Sequence, residues 1–187
     1  MPRCLAIDGA DLQGRFYELS RRHHPDFHHG ASAEAQAEAL AASARLNAAY
    51  RALRDPIARV EYLVRLEEGR ETREGAEGAV GAVVKPQAPP ALLAEMFEIQ
   101  EALAEAKTGA LDDVARATLS EQRERLRERQ AGEEARLTGL LSRAWDAAEA
   151  AERLAALRAF KGTLATRAYL RTVIADLDEA LTPGVPT

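Results

Sequence analysis

Apolar residues recur along this chain at helical spacing, in two separate blocks. Leu12, Phe16 and Leu19 fall at i, i+4 and i+7, one stripe of a helix over Leu12 to His23. An alanine-rich pattern follows from about Ala33 to Arg54, and its stripe is Leu46, Ala49, Tyr50 and Leu53. The two stripes predict an antiparallel helical hairpin. In the second block, a helix is predicted after Pro89-Pro90 to about Lys107, because proline suits the start of a helix and Thr108-Gly109 suits its stop. Another begins near Asp112, with Asp112 and Asp113 favourable at an N-terminus. It continues through Leu137, Leu140, Leu141 and Trp145, with Gly132 and Gly139 as points of bending. The last runs from about Ala147 to Leu181, where Leu154, Leu157, Leu164, Leu170, Ile174, Leu177 and Leu181 recur, mostly at three- and four-residue intervals. Gly162 lies inside it as a candidate kink. Long helices joined by short turns predict an antiparallel three-helix bundle. No run of alternating β-branched residues is evident, so the expected class is all-α.

Between the blocks, Glu67 to about Ala88 reads EEGRETREGAEGAVGAVVKPQA, with little periodicity, and is expected to be a linker. The expected organisation is therefore 1–66, a linker over 67–88, and 89–187. Charge follows this division. Residues 1–66 hold 9 Lys+Arg against 8 Asp+Glu, and the remainder holds 16 against 22.

Composition changes this picture little but narrows the function. At 187 residues and 47% hydrophobic, the chain holds one or two small domains. A net charge of −5 argues against general nucleic-acid binding. No apolar run has membrane-spanning length. Residues 1–14 carry Arg3, Asp8 and Asp11 and lack the apolar stretch of a secretory signal. The single cysteine, Cys4, excludes an internal disulfide framework and fits a reducing, cytoplasmic setting. No nucleophile–base set and no glycine-rich phosphate loop stands out, so catalysis is not expected.

The most informative chemistry is His24-Pro25-Asp26, at the turn of the predicted hairpin. Pro25 fixes its own φ and pushes His24 out of the helical region, so the preceding helix should end near His23. His24 and Asp26 then flank a rigid residue, and a pre-organised loop loses less entropy when it docks. Asp26 suits a partner's arginine. An ordinary helix-breaking turn is the competing reading of the loop alone. Arg15, Arg21, Arg22 and His23 lie on the helix before the turn against one acid, Glu18, a charge pattern that steers an acidic partner. All four histidines lie between His23 and His29, which invites a metal reading. One short segment around a proline, with no distant ligand to close a tetrahedron, argues against a built metal site. In the second block, Leu92, Leu93, Met96, Phe97, Ile99 and Leu103 make the first helix apolar over more than one face. Ile99 and Leu103 suit the core, and Leu93 with Phe97, four residues apart, suit a second face. Such a surplus marks an interaction patch or a broad core stripe.

Two helices joined by an exposed His-Pro-Asp loop resemble the J domain of co-chaperones that trigger ATP hydrolysis in DnaK-class chaperones. Asn47-x-Ala49-Tyr50-x-x-Leu53, then Asp55-Pro56, then Arg59-x-x-Tyr62-Leu63 is more specific and resembles the HscB family of iron–sulfur cluster biogenesis. Arg167-x-Tyr169-Leu170 through Leu181 resembles that family's last helix. The resemblance is nearly full length, with an interrupted middle. It implies an N-terminal J domain over 1–66, a scaffold-binding three-helix bundle over 89–187, and no catalysis or cofactor of the chain's own. The implied partners are an HscA/DnaK-type chaperone and an IscU-type iron–sulfur scaffold. Carried over by position, His24, Pro25 and Asp26 match the ATPase trigger, and Arg15, Arg21 and Arg22 lie on the helix that meets the chaperone. Leu93 and Phe97 match the scaffold-binding face, with Leu92 and Met96 beside them. Three departures are visible. The resemblance begins after the helix with which the family usually opens. Phe27-His28-His29 stands where many bacterial members carry a basic residue. The paired-cysteine zinc module of some eukaryotic members has no counterpart around Cys4. A general J-domain adaptor for another client and a histidine-cluster metal binder are the alternatives.

Overall fold

The structure is a computed structural model, and it describes residues 3–28, 30–68, 97, 99–104 and 112–182; the side chains of Pro25 and His28 lie outside that description. The chain forms two compact units. One comprises Met1–Glu71 with Ser142–Arg153, the other Thr72–Leu141 with Leu154–Thr187. Every regular element among the described residues is helical, so the chain is all-α.

The first unit is built on a hairpin. Helix α1, Gly9–Arg22, starts about one turn before the apolar stripe, because the Asp8 carboxylate accepts from the Ala10 and Asp11 amides and caps it. It ends at His23. A 3₁₀ turn, Pro25–His28, follows. Helix α2, Ala33–Arg54, is capped by Ser32, whose hydroxyl accepts from the Ala35 amide. Phe16 of α1 stacks on Tyr50 of α2 at 4.1 Å between ring centres, a contact worth about 0.5–1.5 kcal/mol beyond its buried area. Asp55 closes α2 and caps the next helix, α3 (Pro56–Glu67), by accepting from the Ala58 amide at 2.7 Å. Pro56 sits in the first turn of α3, where its missing N–H has no partner to lose.

The first unit also takes in a segment from far along the chain. Leu5 and Ala6 each donate a backbone N–H to the Asp146 carboxylate at 2.7 Å. Trp145, fully buried, donates its indole N–H to the Arg3 carbonyl at 2.8 Å. Arg59, buried, donates to the Leu5 and Leu53 carbonyls. Residues 3–6 thus form a strap held on both sides by side chains.

The second unit is a three-helix bundle. A helical stretch at residues 99–104 packs Ile99 and Leu103 against Leu119 and Leu126 of α4 (Asp113–Arg136). Tyr169, Leu170, Val173, Ile174 and Leu177 of α6 (Ala150–Leu181) complete the core. Cross-helix pairs show that α4 and α6 are antiparallel. Arg116 reaches the Leu181 carbonyl, Arg123 and Arg127 reach Asp178, and Glu134 meets Arg167 at 2.7 Å.

Three sequence expectations change. The second bundle helix does not run on to Trp145: it gives way to a π turn at Leu137–Leu141, then the short helix α5 (Ser142–Ala147). Across this break Leu137, Leu141 and Trp145 are buried while Leu140 is exposed. The last helix starts at Ala150 and passes through Gly162 unbroken. Its inward face begins at Phe160 and Thr163, while Leu154 is exposed. The expected linker core, residues 69–88, and most of the first bundle helix lie outside the described residues.

Candidate functional site: the His-Pro-Asp turn

The turn is positioned by what stops α1 and what starts α2. His23 is the last residue bonded back into α1, through its amide to the Leu19 carbonyl. Phe27 then donates its N–H to the His24 carbonyl at 3.0 Å and closes the 3₁₀ turn around Pro25 and Asp26. α2 packs against this turn as well as against α1. The side chains of His24, Asp26 and Phe27 are exposed. His24 is half exposed and Asp26 is largely exposed.

Within the turn, the Asp26 amide donates to His24 Nδ1 at 3.3 Å. In that bond Nδ1 is the acceptor. The Asp26 carboxylate also lies 3.5 Å from Nδ1.

Arg15, Arg21 and Arg22 are all exposed on α1. Arg15 and Arg22, seven residues apart, share one face, whereas Arg21 falls about 100° away on the side of Tyr17. The basic helix therefore presents two flanks. On the Arg21 flank, Tyr17, Ser20, Arg21, His24 and Phe27 line an open groove. The rings of His24 and Phe27 meet edge to face at 6.1 Å.

The second candidate patch is described only in part. Phe97 is 72% exposed on the first bundle helix, while Ile99 and Leu103 turn into the core. Leu92, Leu93 and Met96 lie outside the described residues. Among the described residues no cluster of His, Cys, Asp and Glu could hold a metal ion. His28 and His29 fall outside that description. No helix among the described residues is long and apolar enough to cross a membrane.

Sequence reasoning passed over three supporting residues. Arg59 was visible only as part of a motif, and its role became clear through its hydrogen bonds. Its burial lowers the guanidinium pKa from the usual value, partly offset by Asp55 and Asp146. Trp145 was read only as an apolar helix position and Asp146 not at all, since their partners lie about 140 residues away in sequence.

A hairpin with His-Pro-Asp at its turn, in one chain with a three-helix bundle, defines a J-domain protein with a helical C-terminal domain. A family model described as the HSCB C-terminal oligomerisation domain matches residues 88–161. The co-chaperone protein HscB homolog of Ralstonia nicotianae is 32% identical over 129 residues, 67% of this chain and 68% of that one. The homolog of Bordetella avium is 33% identical over 133 residues, 68% and 69% of the two chains. The match to co-chaperone protein HscB of Proteus mirabilis is 36% identical over 67 residues and spans only 39% of that relative's length. The solved structure of chaperone HscB from Vibrio cholerae superimposes with a TM-score of 0.52 at 24% identity, covering 95% of this chain and 94% of that one, a likeness of fold. This chain belongs to the HscB co-chaperone family.

Proposed function

We propose that this chain is a co-chaperone that stimulates ATP hydrolysis by an HscA/DnaK-type chaperone and delivers an IscU-type iron–sulfur scaffold to it. It works in the cytoplasm through the chaperone's ATPase, without a reaction or cofactor of its own. The observation that carries the reading is the outward His24-Pro25-Asp26 turn, fixed between α1 and α2. In this reading residues 1–66 act as the J domain. His24 and Asp26 dock on the chaperone, with Asp26 accepting from it, while Arg15, Arg21 and Arg22 steer an acidic surface toward the turn. Residues 89–187 act as the scaffold-binding domain, with Leu93 and Phe97, flanked by Leu92 and Met96, as apolar anchors. The exposure of Phe97 supports that role.

His24→Gln is expected to abolish stimulation in a single-turnover ATPase assay while circular dichroism and scaffold affinity stay unchanged. Loss of scaffold binding as well would point to misfolding or to a wrong division of labour. Leu93→Ala with Phe97→Ala is expected to weaken scaffold binding in titration calorimetry by about 1–3 kcal/mol per anchor. Wild-type affinity in that double variant would move the contact elsewhere.

A further inference from the structure

The trigger itself does not use the whole surface of the hairpin turn. Beside it lies a groove of about 330 Å³, lined by Tyr17, Ser20, Arg21, His24 and Phe27. For scale, an engineered protein cavity of roughly 150 Å³ holds a benzene ring. Phe27 is 74% exposed and Tyr17 is 54% exposed. Two large aromatic side chains left this open on one small surface mark a place where a partner covers them. They stand on different elements, Tyr17 on α1 and Phe27 in the 3₁₀ turn, so the two walls are separately anchored. Tyr17 is held further by Gln13, whose amide donates to its hydroxyl at 3.1 Å.

Charge says what the occupant carries. Arg21 contributes a guanidinium to the lining, and no acid is among the five lining residues. On α1 the only acid after Asp11 is Glu18, against Arg15, Arg21 and Arg22. A purely apolar occupant would leave Arg21 unused, whereas a carboxylate would pair with it; the exposed Asp26 carboxylate, 3.5 Å from His24 Nδ1, stands beside the lining and not in it.

Resting on the trigger reading above, we propose that this groove receives an apolar side chain flanked by a carboxylate on the DnaK-class chaperone. The apolar group sits between Tyr17 and Phe27, and the carboxylate meets Arg21. Phe27 is then a specificity-determining residue: it selects the partner, while His24 and Asp26 act on it.

The test separates selection from triggering. Single-turnover ATPase of the purified chaperone is titrated with the full chain, wild type and variants. Phe27→Ala is expected to raise the half-maximal concentration about tenfold and leave the plateau rate unchanged, and Phe27→Leu to recover most of the loss. Arg21→Ala is expected to raise it similarly and to weaken its dependence on salt. Both side chains are exposed, so circular dichroism should match wild type. An unchanged half-maximal concentration for Phe27→Ala would overturn the inference, as would a lost plateau. Failure of the wild type to stimulate would overturn the trigger reading and this inference with it. A second measurement replaces Phe27 with photoreactive p-benzoylphenylalanine and maps the cross-link on the ATP-bound chaperone. A segment with an apolar residue beside Asp or Glu is the expected product, and a basic or wholly polar segment would overturn the proposal.

Discussion

Asp146 accepts two backbone amides through one carboxylate, and its neighbour Trp145 binds the carbonyl of Arg3. These two side chains hold the strap from one side, and Arg59 holds it from the other. Trp145 is the chain's only tryptophan, so its fluorescence reports directly on the strap. Asp146→Ala removes both acceptors for Leu5 and Ala6. It is expected to shift Trp145 emission to the red and to lower stability by roughly 1.5–3 kcal/mol, the range for hydrogen bonds to a charged group. An unshifted emission spectrum would show that the strap stays docked without Asp146. Arg59→Met keeps much of the buried stem but strands the carbonyls of Leu5 and Leu53. Its cost is expected in the same range, measured by the urea midpoint. None of this was legible in the sequence. A carboxylate that binds a distant backbone leaves no periodic or spacing signal, and an arginine in a helix reads as solvated surface until its burial is seen.

At the scale of elements, local physics decided what could be read. The hairpin was legible because three signals coincide: the apolar stripes, of which Leu19 and Ala49 nevertheless lie exposed, the proline that ends α1, and the Asp55-Pro56 start of α3. Asp55 serves two helices at once, so Asp55→Ala is expected to cost about 1 kcal/mol through the lost cap alone. A thermal midpoint equal to wild type would mean that Pro56 suffices to start α3. The π turn at Leu137–Leu141 was not legible. Its leucines fit an uninterrupted helical period, and only the backbone shows the π turn at Leu137–Leu141. In α6 the expected leucine stripe was right in its second half and wrong at Leu154. Inward positions there are set by Phe160 and Thr163, and a leucine count has no means of ranking a threonine above a leucine. Leu177 is fully buried in the bundle core. Leu177→Ala is expected to destabilise the bundle by about 2–5 kcal/mol, set by how far the neighbours collapse into the space. A loss below 1 kcal/mol in urea unfolding would mean that this core is loosely packed.

For the whole molecule, the fold class and the His-Pro-Asp turn were legible, and the contacts that support them were not. His24, Pro25 and Asp26 announce themselves by sequence because a turn is a local object. The groove beside them needs Tyr17 and Phe27 brought together from two elements, and it emerges only in three dimensions. The proposed function gives the two units a common purpose: the hairpin would act on a chaperone and the bundle would carry a client to it. That coupling is the central claim, and one experiment addresses both halves. Single-turnover ATPase of the cognate HscA/DnaK-type chaperone is measured with this protein added, with and without the IscU-type scaffold. The account predicts stimulation by the protein alone and a further rise when the scaffold is present. Stimulation unchanged by the scaffold would contradict delivery and leave an adaptor for another client, and no stimulation in either condition would contradict the trigger itself.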